Sequence, residues 1–211
     1  MPSYVNKTIV CNCCGKRFQA KLLKGFFNEH PLGLDGNPHH PAAYDRVTAC
    51  PHCGYSSSNM NAAVSAEIRS IVNSSKYKDV LGNPFFDDTT KKLLLAGHIA
   101  AKKADYLEAA YCYLMAMWHF SEIDSDKVGN AREKAITYFS RYLSQTRDDE
   151  MALVLIDLLR QASRFEEAAE TASSLEEYVS TDAGVMRMLM FEKSLIEKKD
   201  TSTHSVKEVL A

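Results

Sequence analysis

The 211-residue sequence has no long hydrophobic run, no strong net charge and no catalytic signature. Its longest apolar stretch, "AAYCYLMAMWHF", covers residues 109–120. That is too short to cross a hydrocarbon layer of about 30 Å as a helix, so no membrane span is expected. The opening residues, "MPSYVNKTIV", lack a basic segment followed by an apolar one, and no secretory leader is read from them. A net charge of −2 and a pI near 6.4 exclude a global pull towards nucleic acid or an anionic membrane. Also missing are a Gly-rich phosphate loop, an HExxH helix and a serine on a strand-to-helix turn. A non-enzymatic, cytoplasmic protein is the expectation.

What the sequence has is cysteine in a pattern. "CNCCGK" starts at Cys11 and "CPHCGY" at Cys50. In register, Cys11 matches Cys50, Cys14 matches Cys53 and Gly15 matches Gly54, while Cys13 falls on His52. Two residues between cysteines allow a tight turn that aims both sulfurs at one ion. A glycine after the second cysteine accepts a positive φ and lets backbone N–H groups turn towards the thiolates. In a reducing compartment such pairs read as a metal site rather than as disulfides. Cys11, Cys14, Cys50 and Cys53 are therefore the expected ligands of a structural Zn²⁺, a closed tetrahedral thiolate shell with no position for water or substrate. Iron fits the same cage. Cys13 is left over as a half-packed thiol or, more sharply, a redox-sensing one. Cys112, in the apolar run, reads as a small core residue.

Between the knuckles, "KRFQAKLLKGFF" reads as short strand. Pro31, Gly33, Gly36, Pro38 and Pro41 mark a turn-rich loop, and "YDRVTAC" reads as a strand into the second knuckle. His30, His39 and His40 lie in that loop without the cysteine or carboxylate spacing of a second metal site. Residues 1–58 carry a charge balance of +3 and residues 59–211 one of −5. A thiolate-bound Zn²⁺ would nearly cancel the former.

From Ser58 onwards the pattern becomes helical, with apolar residues recurring at three and four. Ser58 or Asn59 can cap a first helix carrying Ala63, Ile68 and Ile71. Six further helices are expected over 89–103, 106–121, 126–144, 149–162, 165–179 and 183–198, with Asp148 and Thr181 or Asp182 as N-caps. Two stretches share a tetratricopeptide (TPR) rhythm: a small-residue helix, a short turn, an aromatic, then "EA". Tyr106 matches Phe165 and Ala109 matches Ala168, 59 residues apart. That is not a multiple of the ~34-residue repeat, so the hairpins are degenerate. The expected fold is mainly α: a zinc-ribbon-like β segment over 1–58, TPR-like antiparallel helical hairpins over 59–200 and a flexible tail over 201–211.

Together, Cys11, Cys14, Gly15, Tyr44, Asp45, Cys50, Pro51, Cys53, Gly54 and Tyr55, followed by TPR-like helices, resemble a bacterial family catalogued as domain of unknown function 2225. The chain departs from that pattern at Asn12, where the family often has proline, and at "HHPAAYD". The resemblance covers most of the chain and implies the two-part architecture; it brings no activity with it.

The expected function is an adaptor with structural zinc that binds a protein partner through its helices. One alternative is a nucleic-acid- or transcription-associated ribbon touching phosphates with Lys7, Lys16, Arg17, Lys21, Lys24 and Arg46, whose binding would weaken steeply with salt. The other is a thiol sensor using Cys13.

Overall fold

The computed structural model describes residues 1–178 and 182–210. Its chain forms two compact units: Met1–Phe27 with Pro41–Ala131, and Asn28–His40 with the chain from Arg132 onwards.

In the first unit, strand β1 (Ser3–Val10) pairs antiparallel with β2 (Arg17–Gly25), in register from Tyr4 opposite Leu23 to Val10 opposite Arg17. Strand β1 is not announced by alternation, since only Ile9 of its residues is buried. Beyond the loop, the expected strand "YDRVTAC" is mostly something else. Pro41–Arg46 is a 3-10 turn, and only Thr48–Ala49 (β3) is strand, paired with Ser56–Ser57 (β4). Side chains decide this. Tyr44 turns inwards to donate its hydroxyl to Glu122 (2.8 Å) and sets its ring edge-on to His119. Asp45 accepts from Tyr4 (2.8 Å) and pairs with Lys92 (3.0 Å). Adjacent residues both engaged inside the unit are incompatible with the alternation of a strand.

The first helix starts later than Ser58 or Asn59. Asn59 is spent on a local turn, in which its Oδ1 accepts from the Asn61 amide and Ser57 Oγ accepts from the Asn59 amide. Helix α1 (Ala66–Asn73) is capped by Ser65, and Ser74 ends it while capping α2 (Ser75–Leu81). Helices α3 (Asp88–Lys102) and α4 (Tyr106–Ile123) follow as a hairpin. Gly97 makes their close approach possible: a Cβ there would sit 3.0 Å from the Tyr113 ring and 3.2 Å from Cys112 Cβ. The apolar run is core, as expected, with Ala109, Cys112 and Leu114 fully buried.

The second unit contains most of α5 (Val128–Leu143), then α6 (Asp149–Gln161), α7 (Phe165–Glu176), α8 (Ala183–Glu197) and α9 (Val206–Leu210). Asp148 and Asp182 are N-caps as expected; Thr181 lies outside the described residues. Ala152, Ile156, Ala172, Leu175, Val185 and Leu189 form one apolar cluster. The same unit holds a buried ionic network: Arg160 contacts Asp157, donates from Nε to Glu192 (2.9 Å) and from Nη1 to the carbonyls of Asp200 and Ser202.

The two matched stretches do share geometry. Helices α3 and α6 each end in a Schellman closure, with Asp105 N–H to Ala100 O and Arg164 N–H to Leu159 O, both 2.9–3.0 Å. The residue before each of these donors is left-handed although not glycine: Ala104 at φ 57° and Ser163 at φ 61°. Tyr106 and Phe165 then open the next helix, and Ala109 and Ala168 are fully buried one turn later.

Two expectations need correction. The compact units do not divide at residue 58: the cysteine-bearing hairpins share one core with Ile68, Val72, Tyr77, Leu95 and Ile99 from α1, α2 and α3. Segments of that size bury too little apolar surface by themselves. Nor is the tail over 201–211 unpaired along its described part. Gly33 bridges Ser205, Leu34 N–H donates to His204 O (2.9 Å) and Val206 N–H to Leu32 O (2.8 Å). The signal was "SVKE", a capping box in which Glu208 accepts from the Ser205 amide (2.8 Å).

Candidate metal centre

Each cysteine pair sits in the turn of a two-stranded hairpin, the first between β1 and β2, the second between β3 and β4. The turns are near copies. Gly15 N–H donates to Cys11 O (2.7 Å) and Gly54 N–H to Cys50 O (2.9 Å). Cys11 N–H closes on Lys16 O (3.0 Å) and Cys50 N–H on Tyr55 O (2.9 Å). Both glycines are left-handed, at φ 74° and 79°, as the knuckle geometry requires.

The turns bring the four expected sulfurs together. One sulfur each from Cys11, Cys14, Cys50 and Cys53 lies within 4.8 Å of the others. Cys11 Sγ is 3.8 Å from Cys53 Sγ, and Cys14 Sγ is 3.8 Å from Cys50 Sγ. These are far beyond the ~2.05 Å of a disulfide. They equal the edge of about 3.8 Å that a regular tetrahedron with metal–sulfur bonds of about 2.3 Å requires. The donor set therefore fits a thiolate-bound metal ion. Cys11 and Cys50 are buried, Cys14 and Cys53 half-buried.

The backbone prepares the sulfurs for negative charge. N–H groups of Cys14 and Cys13 face Cys11, that of Lys16 faces Cys14 and that of Tyr55 faces Cys53. Even so, without a cation burial pushes the Cys11 and Cys53 thiols up. Burial acts the same way on Cys14, but the Lys16 amide and the neighbouring thiols outweigh it and hold Cys14 below its usual value. Deprotonating all four at once thus calls for a bound cation.

Helices α1 and α2 grip the two turns from outside through residues that the sequence pattern did not single out. Arg69 donates to Asn12 O (3.2 Å), Lys78 to Cys53 O (3.1 Å) and Tyr77 to Gly54 O (2.9 Å). Two cations thereby stand beside a centre that carries −2 once four thiolates hold a divalent ion. Asn12 donates from Nδ2 to Asn61 O (3.0 Å) and Ala62 O (3.1 Å), bonds that a proline at this position could not make. No spacing rule marks these residues, because their partners lie 25 to 57 positions away or, for Tyr77, 23.

Cys13 stays outside the four-sulfur group but close to it, half-buried, with its thiol within hydrogen-bonding reach of Cys53 and in the field of the Arg69 guanidinium. Burial pushes this thiol up, while Cys53 and Arg69 act in the opposite direction. His52 is exposed and reaches Arg17 O (3.1 Å) across the site. Cys112 is remote, fully buried and pushed well up by burial and by Glu108. His30 and His39 are exposed and His40 is half-buried; among the described residues none joins a metal-ligand group. Lys7, Lys16, Arg17, Lys21, Lys24 and Arg46 are all exposed.

No helix among the described residues is long and apolar enough to cross a membrane. In comparisons with known proteins, no family model, curated protein or solved structure matches this chain.

Proposed function

We propose that this chain is a non-enzymatic cytoplasmic adaptor whose Cys11, Cys14, Cys50 and Cys53 hold a structural Zn²⁺ and whose helical hairpins dock a protein partner. The convergence of four sulfurs at tetrahedral spacing carries the reading. Four protein ligands fill the shell of a Zn²⁺ ion, which leaves no place for a substrate and assigns the metal a structural role. The cysteine hairpins are read as a zinc ribbon, in keeping with the family resemblance. The α3–α4 and α6–α7 hairpins are read as degenerate TPR units, supported by their common turn and their matched Tyr106/Phe165 and Ala109/Ala168 pairs. Helical hairpins of this kind commonly present extended binding surfaces.

The test has two arms. Metal analysis of the purified chain should find one zinc per molecule, lost in Cys11→Ser and Cys50→Ser. Affinity capture at near-native expression should recover a protein partner through the helices. A metal-free native chain sinks the first half, and capture of no protein sinks the second.

One observation favours a second reading, a thiol sensor: Cys13 stands beside a metal ligand and a guanidinium. Alkylation of Cys13 with the metal still bound would support it, and an inert thiol would remove it. The nucleic-acid reading draws no comparable support from the exposed lysines, since surface lysines are ordinary.

A further inference from the structure

His204 stands between two carboxylates. Its Nδ1 is 2.8 Å from Glu208 Oε2 and its Nε2 is 3.2 Å from Asp200 Oδ2. A neutral imidazole has one N–H and one lone pair, so it can satisfy only one of these acceptors; the imidazolium donates to both. The same residue anchors a pairing distant in sequence, because its carbonyl accepts from Leu34 N–H (2.9 Å) while Val206 N–H donates to Leu32 O (2.8 Å).

We propose that residues 200–208 form a proton-controlled clasp: the His204 imidazolium ties Asp200 to Glu208 and so holds the 204–206 strap against residues 32–34. When the imidazole loses its proton, its lone pair faces a carboxylate, one arm of the clasp opens and the strap loosens.

The groups that face the ring come from α8, the turn after it and α9. From the turn after α8 come Asp200 itself, whose Oδ1 accepts from the Ser202 amide (2.7 Å), and the carbonyls of Asp200 and Ser202, both taken by Arg160. From α9 comes Glu208, whose other oxygen accepts from the amide and hydroxyl of Ser205. From α8 come the Phe191 ring, edge-on at 5.8 Å, and the Glu192 carboxylate, which feels the His204 charge and is itself bound by Arg160. Asp200 and Glu208 are held down to about 2, the former by the Ser202 amide and hydroxyl and then by His204, the latter by His204 first. With both carboxylates ionised, gain or loss of the ring proton is the change of charge within the clasp. The proposal lies wholly within the second unit and is independent of the metal reading.

Hydrogen exchange of the full chain, read by NMR at the Leu34 and Val206 amides and corrected for intrinsic rates, tests it. Protection of both should fall by about threefold as the ring proton, followed by NMR, is lost on raising the pH, while Ile156 in α6 stays unchanged. His204→Gln, which cannot carry the charge, should flatten the response. An unchanged protection in the wild type, or the same pH response in His204→Gln, overturns the proposal. Should that variant not fold, the wild-type ring nitrogens decide. Two ring protons in the protected state, with one lost in step with protection, support the clasp; a single ring proton in the protected state sinks it.

Discussion

Arg160 donates from Nε to Glu192 Oε2 at 2.9 Å, joining α6 to α8 with both side chains withdrawn from solvent. Asp157 and Glu192 face this guanidinium, which also supplies the carbonyls of Asp200 and Ser202. Removing one partner from such a pair leaves an uncompensated buried charge, which costs about 3–5 kcal/mol. Arg160→Met should therefore destabilise the chain by about that much in chemical denaturation. Adding Glu192→Gln should recover part of the loss. Strict additivity of the two changes would show that the pair is not coupled.

Metal removal should be the largest perturbation of the first unit. Its core runs unbroken from Cys11 and Cys50 to Ile68, Val72 and Leu95, so loss of the ion loosens the helices as well as the hairpins. Structural zinc sites contribute apparent binding energies of about 10–16 kcal/mol in peptides. A chelator should abolish the cooperative thermal transition of this unit and expose α1 and α2 amides to exchange. Retained protection in those helices would show that they fold without the metal.

The two knuckle glycines should respond differently to the same change. Alanine at either position meets a positive φ and should cost about 1 kcal/mol. At Gly15 the added Cβ meets nothing within 4 Å, whereas at Gly54 it would lie 2.6 Å from Leu81 Cδ2. Gly54→Ala should cost about 1–3 kcal/mol more than Gly15→Ala, as read by thermal unfolding of the metal-loaded chain.

Asp45 makes part of the acid sensitivity. Burial alone would raise its carboxyl, but the bonds from Lys92 and Tyr4 outweigh it and hold the group below its ordinary value. A carboxyl depressed on folding contributes stability above its unfolded pKa of about 3.9 and loses it as pH falls below that value. The side chain is 41% exposed, so solvent screens the pair with Lys92. Asp45→Asn should cost about 1 kcal/mol at neutral pH, and its stability should converge with the wild type once the pH falls below the depressed native value. A difference that persists there would assign the effect to packing.

Ala104 and Ser163 occupy left-handed positions that favour glycine. A side chain there costs roughly 1–2 kcal/mol, partly offset by the greater freedom that glycine has in the unfolded chain. Ala104→Gly should therefore stabilise the chain by up to about 1 kcal/mol, visible as a higher unfolding temperature.

Much of this architecture is local and was legible. The helices expected over 89–103, 106–121 and 149–162 are observed as Asp88–Lys102, Tyr106–Ile123 and Asp149–Gln161. Apolar periodicity, caps such as Asp148 and the turn residues all act within a few positions of one another. The clustering of the four cysteines was legible for the same reason: CxxCG is a local device, and the two copies identify each other. The start of α1 was misplaced because Asn59, a good cap in isolation, is used up by turns at Ser57–Asn61, and Ser65 caps the helix instead. "YDRVTAC" reads as strand until Tyr44 and Asp45 find partners at Glu122, Tyr4 and Lys92.

The sequence by itself therefore determined the knuckles and most helix spans from α3 to α8, since short-range spacing and backbone propensity suffice for both. Tertiary structure alone decided that α1, α2 and α3 complete the core around the cysteines, that Arg69 and Lys78 grip the turns, and that Arg160 is buried against Glu192. Each of these joins residues separated by tens of positions. Such a pairing becomes favourable only when the whole fold has removed both groups from water, so no local pattern announces it.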